Sequence, residues 1–176
     1  EDDIGAYAWT LAVGHTFPNT PGSPRIGLDV DFASGDDDPG DDDHGTFNQL
    51  FPLGHAYFGY LDLVGRQNIM DVSPNVAVKL DERTTARAAY HVFTLAERED
   101  ALYNAGGGST FDDPTGAASK DVGQEIDLTL AYKPQFLDPH GHVLVGYSKF
   151  FADDHIDDLG GSGNADVFYV QFTMTF

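Results

Sequence analysis

The sequence predicts an all-β protein, an antiparallel transmembrane β-barrel with about seven strands in this chain. Short segments alternate apolar and polar side chains with a period of two, which is typical of strands whose two faces meet different environments. The connections between these segments are alternately short and long, as in barrels of the outer membrane. No apolar run approaches the roughly 18 residues that a membrane-spanning helix requires, so a helical membrane protein is excluded.

The final segment shows the clearest alternation. Residues 165–176 place aromatic and aliphatic side chains on one face and polar side chains on the other. The same pattern recurs in six earlier segments, so that the predicted strands are residues 7–13, 25–32, 76–80, 88–92, 125–133, 143–147 and 165–176. In a membrane we expect Ile126, Leu128, Leu130, Val170, Phe172 and Met174 to face lipid, and Asp127, Thr129, Gln171 and Thr173 to face the lumen.

The connections predict the orientation of the strands. Residues 17–24, 81–85 and 133–141 form short connections, whereas residues 36–73, 97–122 and 152–164 form long ones. If the terminal Phe176 lies at the periplasmic side, all three long connections fall outside the cell. Residues 1–176 then form one domain with a long acidic extracellular loop at 36–73. An odd number of strands predicts a piece of a larger barrel that lacks its N-terminal strands, because complete single-chain barrels have an even number.

An alternative makes residues 56–64 an eighth strand and the chain a complete eight-stranded barrel. We prefer the loop, because the eight-stranded barrel would need a long periplasmic segment at residues 36–55, against the usual asymmetry of such barrels. In the loop we expect Phe47, Leu50, Phe51, Tyr57 and Phe58 to pack together while the neighbouring aspartates stay hydrated, because a large apolar patch usually finds a partner.

Composition excludes several function classes. The chain has 29 acidic and 9 basic side chains, a formal charge of −20, which opposes binding to nucleic acid phosphates. With no cysteine it has neither a disulfide framework nor a thiolate metal site. Residues 1–7 show no basic stretch followed by an apolar run, so no signal peptide is recognised there.

Two stretches resemble the alginate export family of outer-membrane proteins. They are residues 34–68, reading SGDDDPGDDDHGTFNQLFPLGHAYFGYLDLVGRQN, and residues 101–106 with 120–132, reading ALYNAG and KDVGQEIDLTLAY. The resemblance runs from about residue 24 to residue 176, the C-terminal portion of the family's barrel. It implies a barrel of roughly 18 strands in the outer membrane of a Gram-negative bacterium, which carries an anionic polysaccharide outward past basic lumen side chains.

The charges expected in the lumen are mixed. Basic and acidic side chains on the polar faces of the strands balance four against four, and Arg66 adds a further basic group from the long loop. These lumen or selectivity residues are Arg25, Lys79, Arg87, Lys133, Asp29, Asp31, Glu125, Asp127 and Arg66. Few water molecules screen charges at a constriction, so such residues would select among solutes. The alternative is that they form cross-strand pairs that hold the wall in register.

The loop from residue 35 to residue 45 reads GDDDPGDDDHG and offers hard oxygen ligands that suit calcium. The candidate ligands are Asp36, Asp37, Asp38, Asp41, Asp42 and Asp43, although the spacing lacks the final glutamate of an EF-hand loop. A hydrated acidic loop without metal is the simpler interpretation. No other cofactor is expected.

The sequence contains no motif that supports a catalytic site. Ser148 with His91 would offer a nucleophile and a base, and Glu125 with Asp127 a carboxylate pair, yet lumen residues of a pore look the same. We therefore predict a channel of the alginate-export or porin type that passes a polar or charged solute, and no enzyme. The alternative functions are a structural or adhesive barrel whose acidic loops bind cations, and a soluble ligand-binding barrel.

The expected partners are outer-membrane lipid, lipopolysaccharide and the machinery that assembles outer-membrane barrels, without nucleic acid. Phe176, the terminal aromatic residue, is the predicted assembly signal.

Overall fold

The computed structural model describes residues 3–55, 57–138, 140–161 and 163–175. Its main element is a sheet of seven antiparallel strands. They are β1 (Ala8–Thr16), β2 (Arg25–Ala33), β3 (Ile69–Lys79), β4 (Thr84–Leu95), β5 (Asp121–Tyr132), β6 (Gly141–Ala152) and β7 (Ala165–Met174). Each strand pairs with the next along the chain, so the sheet is a simple meander from β1 to β7.

Four short strands, one helix and one 3₁₀ turn lie in the connections. Asp3–Ile4 pairs with Asp43–His44 in parallel, and Leu102–Tyr103 pairs with Ser109–Phe111 in antiparallel fashion. The helix α1 (Asp154–Asp158) precedes β7, and the 3₁₀ turn spans Gln135–Leu137. Among the described residues, no helix is long and apolar enough to cross a membrane.

The sequence predicted all seven strands of the sheet, but it made β3 too short. The strand begins at Ile69, inside the predicted loop 36–73. Pro74 lies within β3 and has no N–H to donate, and the pairing of β3 with β4 is interrupted between Val72 and Asn75. The sheet tolerates the proline at this break in the pairing.

The long connections pack together at one end of the sheet. Phe58 and Val64 from the first, Leu102 from the second and Ile156 from the third are buried with apolar side chains from the strand ends. The remaining members of this cluster are Ala33, Ile69, Phe93, Leu95, Val122 and Phe150. The apolar core therefore lies under the long connections, which form a folded cap.

The prediction for the aromatic residues of the first long connection was partly wrong. Phe58 is 7% exposed and Phe47 packs against the core, but Leu50 and Phe51 are 81% and 89% exposed. The alternative prediction of an eighth strand at residues 56–64 is also wrong for the described residues 57–64, which form no strand.

The sheet is open within the described residues, with β1 and β7 as its edges. Phe176, the predicted assembly signal, lies outside the described residues, so its role stays a prediction.

Candidate functional site

The strand register separates the sheet into a polar face and an apolar face. Asp29 pairs with Ser73, His91 with Glu125, and Ala89 with Asp127, which places these side chains on one side of the pleat. The predicted lumen residues on the strands all share this polar face: Arg25, Asp29, Asp31, Lys79, Arg87, Glu125 and Asp127. Lys133 follows the end of β5 and lies in the short connection.

The opposite face is apolar and exposed. Leu128 is 47% exposed, Phe172 is 56% exposed and Val170 is 63% exposed. Trp9, Leu11, Val13, Ile26, Val76 and Tyr132 extend the same surface across the other strands. A soluble protein rarely exposes an apolar surface that covers a whole sheet, so this face marks a contact surface for lipid or for another protein.

A buried polar cluster lies at the centre of the polar face. Nδ1 of His91 is 2.7 Å from Oδ2 of Asp71, and Nε2 is 3.4 Å from Oδ2 of Asp127. The Ser148 hydroxyl donates a hydrogen bond to Asp127, and Ser73 Oγ is 3.5 Å from His91 Nε2. Both ring nitrogens face carboxylate oxygens, an arrangement that suits a positively charged imidazolium. The cluster thus compensates two buried carboxylates with one imidazole ring.

Glu125 adjoins this cluster and holds a segment of the first long connection against the sheet. The backbone N–H groups of Tyr60 and Leu61 donate to Glu125 Oε1 at 2.7 and 3.0 Å. Gly59 has a φ of +82°, and a Cβ at this position would overlap the Glu125 carboxyl group. We call residues 57–66 the covering segment. A side chain at residue 59 would have to displace the buried Glu125 carboxyl group, and it would strain the backbone at this positive φ.

Arg66 anchors the other end of the covering segment. Its Nη2 lies 2.6 Å from Asp31 Oδ1 on β2, and the Asp31 side chain is only 6% exposed. The guanidinium group also lies over the Tyr57 and Phe58 rings, at 4.9 and 5.2 Å from their centroids. A charged pair with such neighbours is shielded from water, which strengthens it.

A third contact reaches β7 at the far edge of the sheet. The Tyr60 ring stacks on the Tyr169 ring with centroids 5.2 Å apart, and His55 stacks on Tyr60 at 5.7 Å. Tyr169 itself lies across Gly146, where any side chain would collide with its ring. The covering segment therefore contacts β2, β5 and β7 and extends over the polar face between these strands.

A cavity of about 270 Å³ remains between the covering segment and the wall. The wall contributes carboxylates, one guanidinium group and small hydroxyl side chains, and the segment contributes aromatic rings. Its charged or titratable lining residues are Asp29, Asp31, Asp127, Arg87, His91, His55, Tyr57 and Tyr60. This volume is near the lower end of the range of ligand pockets, about 300 Å³.

The predicted calcium ligands lie outside this site, in the cap. Asp36 is 7% exposed and is not hydrated as expected, because its carboxylate accepts hydrogen bonds from the N–H groups of Gly45 and Asp38. The other five aspartates of the loop are exposed. Within the part of the chain that the structure describes, no group of three or more histidine and acidic side chains is arranged to hold a metal ion. Calcium binding by this loop stays a prediction.

Sequence reasoning missed several members of the site. Asp71 and Ser73 were placed in the loop, and Tyr60 and Tyr169 had no predicted role. His91 was considered with Ser148, yet the structure pairs Ser148 with Asp127 and His91 with Asp71. The alternation of Ala88, Tyr90 and Val92 in β4 already placed His91 on the polar face, so this signal was present in the sequence.

Comparison with known proteins gives one further finding. The model of a family described as alginate export matches residues 1–170 of the chain. No curated protein matches the chain.

Proposed function

This chain belongs to the alginate export family, and we propose that its sheet is part of the wall of an outer-membrane channel. The single observation that supports this most strongly is the sheet with two contrasting faces. One face is exposed and apolar, while the other buries charged groups such as Glu125 and Asp127, which are 0% and 3% exposed. Membership of a transport family supports a channel function over catalysis.

In this proposal the apolar face contacts lipid and the polar face lines the pathway for the solute. The reverse arrangement would place carboxylates in hydrocarbon, where each unpaired charge is strongly destabilising. The two unpaired edges, β1 and β7, would pair with further strands of the same barrel, because open sheet edges do not occur in lipid. The cap of long connections would then lie on the extracellular side, which agrees with the usual loop asymmetry.

The covering segment supports a more specific proposal. It lies against the polar face from β2 to β7 beside the cavity, so in a channel it would form the constriction. Arg66, Tyr60 and Gly59 hold it in place through contacts to three strands. In a channel, solute size and charge would be selected at this point.

Planar bilayer recordings of the purified protein test this proposal. The chain has no cysteine, so a single introduced thiol can be modified selectively. Thr129→Cys lies on the wall of the cavity, whereas its neighbour Leu128→Cys lies on the apolar face. We expect stepwise conductance that a charged thiosulfonate reduces in Thr129→Cys and leaves unchanged in Leu128→Cys. Inserted protein that gives no conductance would contradict a channel.

The alternative is a barrel without a channel that has a structural or adhesive role. The close packing of Gly59 on Glu125 favours it, because it fills the polar face with protein. The same recordings separate the two functions, since a plugged barrel inserts without conducting.

A further inference from the structure

We propose that the buried cluster around Glu125 binds a proton and acts as a latch for the covering segment. With the proton bound, the segment lies against the sheet. When the proton is lost, the segment is released. This inference goes beyond the proposed function, because the segment would respond to pH whether or not the sheet lines a channel.

Glu125 is the contact between the cluster and the covering segment. Its Oε1 accepts hydrogen bonds from the N–H groups of Tyr60 and Leu61, whereas its Oε2 is buried and has no hydrogen-bond partner among the described residues. A buried carboxylate with one unsatisfied oxygen is strongly destabilised. A proton on Oε2 removes the charge and leaves Oε1 free to accept both N–H groups. The neutral acid therefore suits the closed position of the segment better than the carboxylate does.

The charged groups that face Glu125 also favour its neutral form. Asp127 lies two residues away on the same face of β5, and Asp71 lies on the other side of the His91 ring. The ring contacts both aspartates, so its single positive charge is already shared between two carboxylates. An ionised Glu125 would add a third carboxylate beside one imidazolium group. Desolvation and like charges both favour the neutral form of a buried carboxyl group.

The other neighbours of Glu125 bring no compensating charge. Phe150 of β6 is its apolar cross-strand partner. Two phenol groups lie nearby and are neutral below a pH of about 10; they belong to Tyr60 and Tyr169. Arg87 lies two cross-strand rows away towards the short connections, and Arg66 is paired with a carboxylate of β2.

The covering segment keeps water away from Glu125. The Glu125 side chain is 0% exposed, and a Cβ added to Gly59 would overlap its carboxyl group, so the segment lies directly over that group. Ionisation strengthens the two N–H bonds from the segment. In the released state, however, water replaces both bonds, and only there does Oε2 gain partners as well. Loss of the proton therefore shifts the equilibrium towards release.

Distances between two spin labels, measured by pulsed electron paramagnetic resonance on protein in lipid vesicles, test the inference. The chain has no cysteine, so labels attach only at introduced thiols. Leu63→Cys lies in the covering segment and Asp157→Cys lies on α1, both at exposed positions. We expect one narrow distance distribution at a pH of about 5 and a second, broader one at a pH of about 9, a range in which the phenol groups stay neutral.

Three variants assign the response to the cluster. Glu125→Gln mimics the protonated state, because its amide oxygen still accepts the two N–H groups and its nitrogen carries hydrogen. It should keep the narrow distribution at both pH values. Glu82→Gln, the same substitution at an exposed turn residue, should respond to pH as the unmodified protein does. Asp71→Asn removes one carboxylate from the cluster and should move the transition to lower pH, which provides a test if Glu125→Gln does not fold.

Two results would overturn the latch. One is a distance distribution that does not change with pH in the otherwise unmodified protein. The other is a pH response that persists in Glu125→Gln, since it would come from another group, such as His55, which lies 3.1 Å from Asp62 beside the segment.

Conductance recorded over the same pH range separates the latch from the proposed function. A segment that moves with pH in protein that never conducts would uphold the latch and overturn the channel. A conducting protein whose segment does not move would uphold the channel and overturn the latch.

Discussion

At the scale of single residues, a few buried polar groups fix how the long connections meet the sheet. Glu125 accepts two backbone hydrogen bonds from the covering segment, and the Asn68 side chain connects the end of the first long connection to the second. Each group is buried, and a buried polar atom that loses its partner is more destabilising than the bond was stabilising. These positions should therefore be sensitive to small substitutions.

Gly59→Ala should displace the covering segment, because the added methyl group would overlap the Glu125 carboxyl group. Gly160→Ala is a matched control, since Gly160 has a similar φ, +74° against +82°, but a methyl group added there would meet no other part of the described chain within 4 Å. Overpacking of this kind costs about 1–3 kcal/mol. We expect Gly59→Ala to lower the free energy of unfolding by about that much more than Gly160→Ala. Equal losses in the two variants, measured by urea unfolding, would show that no close contact exists.

Asn68→Ala should be strongly destabilising. The Asn68 side chain is fully buried, donates to the carbonyl groups of Glu97 and Ala101 at 3.0 Å each, and accepts from the Glu97 N–H at 2.7 Å. Its φ is +50°, a conformation that asparagine tolerates better than alanine. We expect a loss of about 2–4 kcal/mol in the free energy of unfolding.

Asn164→Ala is the comparison for Asn68→Ala. The Asn164 side chain accepts a single hydrogen bond, from the Ala152 N–H at 3.3 Å, at an exposed site. The expected loss is about 1 kcal/mol or less. If both variants lost the same stability, the three bonds of Asn68 would not hold the cap together.

At the scale of elements, the alternation of side chains predicts strands well and their ends poorly. All seven sheet strands follow from period-two patterns, because one face is apolar along the full length of the sheet. The extra residues of β3 were missed since Asp71, Ser73 and Pro74 suggest a loop when burial is unknown. The position of the covering segment could not be predicted from the sequence either. It depends on contacts between residues far apart in the chain, such as Tyr60 and Glu125, which are 65 residues apart.

The turn between β3 and β4 provides a test of pH dependence. The Asp81 carboxylate accepts hydrogen bonds from the Arg83 and Thr84 N–H groups at 2.7 and 2.9 Å. The bond from the Arg83 backbone is the main cause that lowers the pKa of Asp81 below its ordinary value. A lowered pKa in the folded state stabilises the protein above the ordinary pKa, and this contribution is lost as pH falls through the folded value.

Asp81→Asn should therefore be less stable than the unmodified protein near neutral pH, and the difference should shrink as pH falls below about 4. Unfolding midpoints measured at several pH values check this. A difference that stays constant, or grows in acid, would show that the charge of Asp81 does not stabilise the turn.

At the scale of the whole molecule, the sheet has two contrasting faces and carries the cap at one end. Strands with an exposed apolar face carry a polar face that is covered by a segment of their own chain. The long connections gather at one end and the short ones at the other, as the meander requires. Family membership and this arrangement together favour a wall segment of an outer-membrane channel.

The most direct test of the membrane-wall proposal is a scan of single cysteines along β7 in protein reconstituted into lipid vesicles. Val170→Cys and Phe172→Cys lie on the apolar face, whereas Gln171→Cys and Thr173→Cys lie on the polar face. We expect nitroxide-labelled lipids to quench a fluorophore at residues 170 and 172, and a water-soluble thiol reagent to modify residues 171 and 173. Equal accessibility at all four positions, or an inverted alternation, would contradict a sheet that faces lipid with its apolar side.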